Sequence, residues 1–209
     1  MPKLLILGAG GQGRVAGEIA ELMGCWKDIA YLDDNAGLTS VDGFPVIGRL
    51  SDYQGLKHQF SHAFAAFGHN QLRMEWIAAL TAAGFEIPAL IHPQSVVSRR
   101  TAVGAGTLVM AGAVVNPNAR IGAGGILNTQ CSVDHDCLLE DGVHISPGAH
   151  LGGGVQVGRL TWICIGASVS NHLIIGAGSI IAAGAAVVQD IPDCVLAAGV
   201  PAQIKKKLI

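Results

Sequence analysis

The chain has 209 residues, half of them apolar and 13% charged, and its formal net charge is −2. This charge provides no basic field for nucleic acid, and we find neither a signal peptide nor an apolar stretch of transmembrane length. Five cysteines are too few for a disulfide scaffold, so a reducing cytoplasm is the simplest expected location. The only cationic run, Lys205 to Lys207, is interpreted as a solvated tail.

Residues 1–90 are predicted to form a Rossmann-like α/β domain, because short apolar runs alternate with helically spaced apolar residues. The strands are expected to be parallel, with helices on the faces of the sheet, and Gly84 is expected to end the second helix. In chain order we predict a strand at 4–7, a glycine-rich turn at 8–13, a helix at 14–23, strands at 29–32 and 63–67, and a helix at 71–83.

The glycine-rich turn matches the pattern G-x-G-x-x-G at Gly8, Gly10 and Gly13, and Asp33 follows 20 residues later. Small residues at such a turn let backbone N–H groups approach a pyrophosphate at a helix N-terminus. The predicted sheet has too few strands for a full dinucleotide fold, so we favour a nucleotide-sugar diphosphate over NAD as its ligand. A tight turn without a ligand is the alternative.

From Ile91 to Val187, an aliphatic residue recurs at every sixth position, seventeen times without a break. A period of six fits neither a helix nor a plain strand, and it predicts a parallel β-helix with flat faces. We expect the aliphatic residues to fill the interior, together with the small residues that lie four positions later, among them Cys131 and Cys137. Glycines that directly follow an aliphatic residue, such as Gly104, are expected to permit the tight corners.

This repeat resembles that of the hexapeptide-repeat acyltransferases. The resemblance implies a left-handed β-helix with 18 residues per turn over residues 91–209, including a C-terminal tail. It also implies an acetyl-CoA-dependent enzyme that forms a homotrimer, with acetyl-CoA lying between adjacent subunits. The glycine-rich N-terminal domain is similar to that of the sialic-acid O-acetyltransferases and the nucleotide-sugar N-acetyltransferases.

Within that subgroup, the resemblance implies where a nucleotide sugar binds. The contacts come from the glycine-rich turn, from an acidic pair after the second strand and from a glycine after the third. Asn70 is a further candidate contact, or alternatively the cap of the following helix. The implied substrate-binding residues are Gly10, Gly11, Gln12, Asp33, Asp34 and Gly68.

His135 is the candidate general base, because acetyl transfer from a thioester to an amine requires a group that accepts a proton near neutral pH. A neighbouring carboxylate would favour the imidazolium and fix the tautomer, and both Asp134 and Asp136 flank the histidine. Residues 128–137 resemble the family's N-T-x-x-x-V-x-H-[DE]-C segment, and this resemblance implies that Asp136 is the acid that raises the basicity of the histidine.

The 18-residue turn places Gly153 beside His135 on the next coil, within a run of three glycines at 152–154. We expect this run to leave a groove for the thioester, and the Gly153 N–H to stabilise the oxyanion. The resemblance implies that His144, Ile165 and Ala183 contact acetyl-CoA, with the detail near Cys164 open.

The predicted reaction is acetylation of the 4-amino group of a UDP-linked 4-amino-4,6-dideoxy sugar, as in bacillosamine and glycan biosynthesis. O-acetylation of sialic acid and N-acetylation of a GDP-linked amino sugar are the alternatives within the family. Outside it, a zinc carbonic anhydrase could use His135, His144 and His150, and a non-catalytic NAD or nucleotide-sugar sensor would use only the first domain. We expect no bound metal and no nucleic-acid partner.

Overall fold

A computed structural model describes residues 1–208. The chain divides into two compact units, Met1–Pro93 and Gln94–Ile209. The first unit contains β1 (Lys3–Leu7), α1 (Gly11–Met23), β2 (Asp28–Leu32), β3 (Ser40–Val41), β4 (Phe44–Gly48), a 3-10 helix (Leu50–Leu56), β5 (His62–Ala65), α2 (Asn70–Ala82) and β6 (Leu90–Ile91). Among residues 1–208, no helix is both long and apolar enough to cross a membrane.

The sheet of the first unit has the strand order β3-β4-β2-β1-β5, and all of its pairings are parallel except that of β3 with β4. Helix α1 packs closely on this sheet because glycines leave room for Tyr31, whose hydroxyl donates to the Gly13 carbonyl over 3.0 Å. A Cβ atom on Gly17 would collide with that hydroxyl. The predicted parallel sheet is confirmed, and α1 begins inside the glycine-rich turn rather than after it.

The hairpin of β3 and β4 was not predicted, so the strand expected to be third is the fifth along the chain. The hairpin turn contains Asp42 and Gly43, and both have positive φ, at 47° and 88°. An Asp-Gly pair between two short apolar runs is the usual signal of such a turn. The sheet is therefore larger than the sequence pattern indicated.

The second unit is a stack of two-residue strands. Each strand from β6 to β22 ends on one of the seventeen aliphatic residues. The strands that follow β6 are β7 (Val96–Val97), β8 (Ala102–Val103), β9 (Leu108–Val109), β10 (Val114–Val115), β11 (Arg120–Ile121), β12 (Ile126–Leu127), β13 (Ser132–Val133), β14 (Leu138–Leu139), β15 (His144–Ile145), β16 (His150–Leu151), β17 (Gln156–Val157), β18 (Trp162–Ile163), β19 (Ser168–Val169), β20 (Ile174–Ile175), β21 (Ile180–Ile181), β22 (Ala186–Val187), β23 (Val195–Ala198) and β24 (Gln203–Lys207).

These strands form three faces, because each pairs in parallel with the strand 18 residues further along the chain, as Val115 does with Val133. We call them face 1 (β7, β10, β13, β16, β19, β22), face 2 (β8, β11, β14, β17, β20) and face 3 (β9, β12, β15, β18, β21, β23, β24). Corner 1 follows face 1 along the chain, and corner 3 follows face 3. Lys205 to Lys207 lie in β24, an exposed strand that is antiparallel to β23.

The interior of the coil is filled as predicted. Every aliphatic residue of the repeat from Val109 to Val187 is buried, and the first three are partly buried. Cys131 and Cys137 are also buried, which confirms that they fill the core. Burial raises the pKa of the Cys131 thiol to about 12, so this thiol stays protonated and unreactive.

The structure corrects the predicted role of the glycines that directly follow the aliphatic residues. Positive φ occurs two positions later, as at Gly142, Gly148 and Asn118. The glycine next to the aliphatic residue is instead required because consecutive coils stack closely. A Cβ atom on Gly158, for example, would lie 2.5 Å from the backbone nitrogen of Ala177.

Candidate active site

His135 lies at corner 1, directly after β13, and its side chain is 54% exposed. Its Nδ1 atom is 2.9 Å from Oδ2 of Asp136. Two successive residues of a strand would point apart, but Asp136 has φ of 59°, and this left-handed backbone turns its carboxylate back toward the ring. The acid that the resemblance implied is thus the one hydrogen-bonded to the histidine, and the corner provides the geometry that brings the two side chains together.

The hydrogen bond to Asp136, followed by the charges of Asp134 and Asp136, raises the pKa of His135. The same hydrogen bond, together with one from Asn118, holds the pKa of the Asp136 carboxyl below its usual value. An ionised Asp136 accepts a hydrogen bond from the Nδ1–H group, so that Nε2 is the unprotonated nitrogen of the neutral ring. The pair can therefore take up a proton at Nε2.

Two asparagines on the preceding coil hold the acids that flank His135. Asn118 donates from Nδ2 to Oδ1 of Asp136 over 3.1 Å, which leaves Oδ2 for the imidazole. Asn116 donates to Oδ1 of Asp134 over 2.8 Å, and the same oxygen accepts the His135 N–H. Asp134 is thereby fixed on the backbone and not on the ring. Sequence reasoning missed both asparagines, although their spacing of 18 from the two acids could have revealed them.

Gly153 lies directly beside the His135 ring, as the 18-residue turn predicted. A Cβ atom at this position would lie 2.6 Å from both Cε1 and Nε2 of the imidazole. Within residues 1–208, the Gly153 N–H donates to no acceptor, whereas the next amide, that of Gly154, donates to the His135 carbonyl. Gly153 therefore lies next to Nε2, and its N–H is available to a ligand oxygen.

The glycine run at 152–154 does not form the empty groove expected from the sequence. The space beside Gly152 is taken by the side chain of Asn171, and that beside Gly154 by the ring of His172. Both side chains come from the following coil, 18 or 19 residues further on. Polar side chains from two coils therefore meet over the three glycines.

His144, expected to contact acetyl-CoA, lies on face 3 and is only 6% exposed. Its ring stacks on that of Trp162 one coil later, with 5.4 Å between the centroids and 7° between the planes. Its Nε2 atom is 3.3 Å from Nδ2 of Asn128. Trp162 is 42% exposed and donates from its indole to Ser146 over 2.7 Å. Sequence reasoning missed Trp162, which 18-residue spacing would have placed beside His144.

Ile165 and Ala183, the other expected acetyl-CoA contacts, lie one above the other at corner 3 and are exposed. Within the described chain, the N–H groups of both residues are outside the backbone ladder, so each can donate to a ligand. One chain does not bring them together with His135, because face 1 separates corner 3 from corner 1. His135 and Gly153 thus form one group on the coil, and Ile165 and Ala183 form another.

In the first unit, the glycine-rich turn lies at the carboxyl end of β1, and the loop with Gly68 lies at that of β5. The chain leaves β1 toward β2 on one side, while β5 lies on the other, and ligands of open parallel sheets bind at such a switch in strand order. Gly10 and Gly11 face open space. The Gln12 side chain packs on Gly68, and its Oε1 atom is buried without a hydrogen-bond partner among residues 1–208.

The acidic pair at the end of β2 already binds backbone groups. Asp33 accepts the Ala9 N–H over 2.7 Å through Oδ2 and the Asn35 N–H over 2.8 Å through Oδ1. Asp34 accepts the Leu50 N–H over 3.0 Å. Asp33 therefore holds the glycine-rich turn and Asp34 holds the start of the 3-10 helix, in addition to any contact with a substrate.

Asn70 is not the cap of α2. His69 caps this helix by accepting the Leu72 N–H at its Nδ1, and Asn70 accepts instead from the guanidinium of Arg73.

The three histidines considered for a zinc site lie on different parts of the coil: His135 at corner 1, His144 on face 3 and His150 on face 1. In the part of the chain that the structure describes, no three His, Cys, Asp or Glu side chains form a group that could hold a metal ion.

Known proteins share both units. The family model described as the PglD N-terminal domain matches residues 3–80. Perosamine N-acetyltransferase from Caulobacter crescentus, solved as a histidine-to-asparagine mutant with CoA and GDP-perosamine, is 38% identical, over 99% of this chain and 98% of that one, with a TM-score of 0.95. The acetyltransferase domain of PglB from Neisseria gonorrhoeae FA1090, solved with acetyl coenzyme A, is 42% identical, over 97% and 98%, with a TM-score of 0.94.

The chain belongs to the hexapeptide-repeat amino-sugar acetyltransferases. Its second unit is accordingly a left-handed parallel β-helix, as the resemblance of the repeat implied. WeeI from Acinetobacter baumannii AYE shares the fold at 26% identity over 97% of this chain and 99% of that one, with a TM-score of 0.88. A 54-residue segment is 43% identical to a Saccharomyces cerevisiae protein named as an acetyltransferase, and this match spans 26% of the chain and 28% of that protein.

Proposed function

We propose that this member of the family transfers the acetyl group of acetyl-CoA to the 4-amino group of a UDP-linked 4-amino-4,6-dideoxy sugar. The observation that carries the proposal is the His135–Asp136 pair, whose Nε2 lies beside Gly153, a residue whose N–H has no acceptor among residues 1–208. A base and an oxyanion donor side by side are the two groups that attack of an amine on a thioester requires.

In the proposed reaction, His135 Nε2 accepts a proton from the sugar amine as its nitrogen bonds to the thioester carbon. The negative charge that develops on the carbonyl oxygen is stabilised by the Gly153 N–H. The carbon–sulfur bond then breaks, and the proton on His135 goes to the sulfur, giving the acetamide and CoA thiol. Asp136 stays ionised throughout, holding the tautomer and stabilising the imidazolium.

Acetyl-CoA is the proposed co-substrate, in line with the CoA and acetyl coenzyme A bound in the C. crescentus and N. gonorrhoeae relatives. His144, Ile165 and Ala183 are its proposed contacts. Because Ile165 and Ala183 lie at a different corner from His135, one chain presents only part of such a site. We therefore propose a homotrimer, in which corner 1 of one copy meets corner 3 of the next around the cofactor.

The nucleotide sugar is proposed to bind at the glycine-rich turn through Gly10, Gly11 and Gln12, with Gly68, Asp33 and Asp34 around it. The buried, unpartnered Oε1 atom of Gln12 supports this assignment, because a substrate donor would satisfy it. A GDP-linked amino sugar is the alternative acceptor, since the C. crescentus relative was solved with GDP-perosamine. O-acetylation of sialic acid is the third.

The experiment is release of CoA thiol from acetyl-CoA with a panel of UDP-, GDP- and CMP-linked sugars, half of them bearing a free 4-amino group. We expect turnover with the UDP-4-amino sugar, and a loss of roughly 100-fold or more in His135→Ala. His58→Ala is the matched control. His58 is an exposed histidine of the first unit, and in the described chain its side chain hydrogen-bonds only with Gln59. Preference for a GDP- or CMP-sugar would overturn the UDP assignment, and full activity of His135→Ala would overturn the mechanism.

A further inference from the structure

Arg73 is a cation in the interior of the first unit. It lies in the first turn of α2, and only 1% of its surface is exposed. Burial lowers the pKa of its guanidinium to about 10, so that it still carries its charge at neutral pH. A buried charge lowers stability unless hydrogen bonds and opposite charges compensate it. The acetyl-transfer mechanism assigns no role to Arg73.

The guanidinium holds the loop that follows β5. Its Nη1 atom donates to the carbonyl of Phe67 over 2.9 Å and to that of Gly68 over 3.3 Å, while Nη2 donates to Oδ1 of Asn70 over 2.9 Å. A planar fork with several donors can satisfy such a set of acceptors at once, which a lysine cannot. Arg73 therefore fixes the path of residues 67–70.

This loop forms one side of the crevice between β1 and β5. A Cβ atom on Gly8 would lie 3.2 Å from the Phe67 ring, and one on Gly68 would lie 3.7 Å from the Gln12 side chain. The loop braced by Arg73 thus packs directly on the glycine-rich turn. A change in the path of residues 67–70 would move one wall of the proposed nucleotide-sugar site.

The charges around the crevice favour an anion. Helices α1 and α2 both begin there, and a helix N-terminus carries a partial positive charge. Neither first turn contains an acidic residue, and each contains an arginine, Arg14 on α1 and Arg73 on α2. A cation at a helix N-terminus is unfavourable by itself, and a bound diphosphate would offset that cost. Asp33 and Asp34 are the acids of the proposed site, and they already accept the N–H groups of Ala9, Asn35 and Leu50.

We infer that Arg73 is a positioning residue for the diphosphate of the nucleotide sugar. It holds residues 67–70 against the glycine-rich turn and supplies buried positive charge beneath the site, while it takes no part in acetyl transfer. This inference rests on the proposed function. It extends that function from the residues that touch the substrate to one that acts from the interior of the domain.

The test measures KM for the nucleotide sugar, KM for acetyl-CoA, kcat and inhibition by UDP for Arg73→Lys and Arg73→Met. We expect the sugar KM and the UDP inhibition constant to rise about tenfold or more in Arg73→Met. Arg73→Lys, which keeps the charge and loses the fork, should fall between Arg73→Met and the wild type. KM for acetyl-CoA should stay within about twofold. Lys27→Met is the matched control. It removes one exposed cation directly before β2, at the amino end of the strands, whereas the crevice lies at their carboxyl end.

The melting temperature separates this role from a purely structural one. If Arg73 only stabilised the fold, its variants would melt earlier and lose active enzyme, with the sugar KM unchanged, and the inference would be wrong. Should Arg73→Met fail to fold, Asn70→Ala removes one acceptor of the guanidinium and leaves the cation in place. It should raise the sugar KM by a smaller factor, and an unchanged KM there also contradicts the inference. A wild-type enzyme that uses no nucleotide sugar contradicts the proposed function instead.

Discussion

His135 shows how one backbone conformation creates a chemical pair. Adjacent strand residues point apart, so their side chains reach each other only if the backbone reverses between them. Asp136 has the left-handed conformation that achieves this, and aspartate adopts it more readily than most residues. The histidine therefore gains a carboxylate partner from the next position in the sequence, and Asn118 of the preceding coil holds that carboxylate in place.

Asp136→Asn should change the pH dependence of activity. The carboxylate raises the pKa of His135, so its removal should lower that pKa. The base works only when neutral, and activity is lost as the pH falls through its pKa. The acidic limb of kcat/KM should therefore move to lower pH in Asp136→Asn, while the plateau falls by about tenfold or more because the weaker base accepts the proton less readily. A limb at the wild-type pH would show that Asp136 does not act through His135.

Gly153→Ala tests the close approach of the imidazole to the next coil. The added methyl group would lie 2.6 Å from Nε2, so the ring must swing away from the Gly153 N–H. We expect kcat to fall by roughly 100-fold and the melting temperature to stay nearly constant, because the exposed ring can move without disturbing the core. Acetylation at the wild-type rate in this variant would remove Gly153 from the mechanism.

At the scale of the element, each corner of the coil makes two separate demands on its residues. The position after the aliphatic residue must be small where the next coil passes close to it, as at Gly158. The position two further on must adopt positive φ, as Gly148 does with open space around it. The sequence shows glycine at both positions, and only the structure separates steric room from backbone conformation.

Gly148→Ala and Gly158→Ala should therefore destabilise the protein for different reasons. Gly148→Ala forces a side chain into the left-handed region, at a cost of about 1 kcal/mol. Gly158→Ala places a methyl group 2.5 Å from a backbone nitrogen and must push two coils apart, at a cost of about 2 kcal/mol or more. Denaturant unfolding of both variants measures the two costs. Equal and negligible losses would contradict this account of the corners.

The elements themselves were only partly predictable. The helices and the strands at 4–7, 29–32 and 63–67 follow from local apolar patterns, and all of them are present within a few residues. The hairpin of β3 and β4 was missed because β3 has only two residues, and because β4 is apolar at its half-buried and its exposed positions alike, so that its sequence does not alternate. Its turn residues, Asp42 and Gly43, carried the signal instead.

At the scale of the whole molecule, the repeat distributes the candidate residues over different corners of one coil. His135 lies at corner 1, and Ala183 lies at corner 3. Closed cyclic assembly of identical chains is the simplest way to bring two such surfaces together, because each copy then offers one surface and receives the other.

Two inactive variants should therefore restore activity when they assemble together. His135→Ala lacks the proposed base, and Ala183→Trp fills the proposed acetyl-CoA position at corner 3. In each mixed trimer, one of the three interfaces combines the intact His135 of one copy with the intact Ala183 of another, which amounts to about one quarter of all interfaces when equal amounts mix at random. Co-expression followed by thiol-release assays measures the recovery. Failure of the mixed trimers to regain activity would place both residues in the same copy's site.

The sequence by itself determined the coil, because a period of six over seventeen positions admits one architecture and fixes which residues enter the core. It also predicted which residues lie beside His135, since these are adjacent to it in the chain or separated from it by one turn. The tertiary structure decided what depends on space rather than on order. It turned Asp136 toward the ring, occupied two of the three glycine positions with Asn171 and His172, and tied Asp33 to the glycine-rich turn. It also placed a buried cation, Arg73, against the loop that packs on that turn. The contacts of Asp33 and Arg73 join residues whose separation follows no fixed repeat. Those of Asp136, Asn171 and His172 obey the order of the chain or the repeat, but they depend on the backbone conformation and the side-chain direction at each corner, which no local pattern specifies.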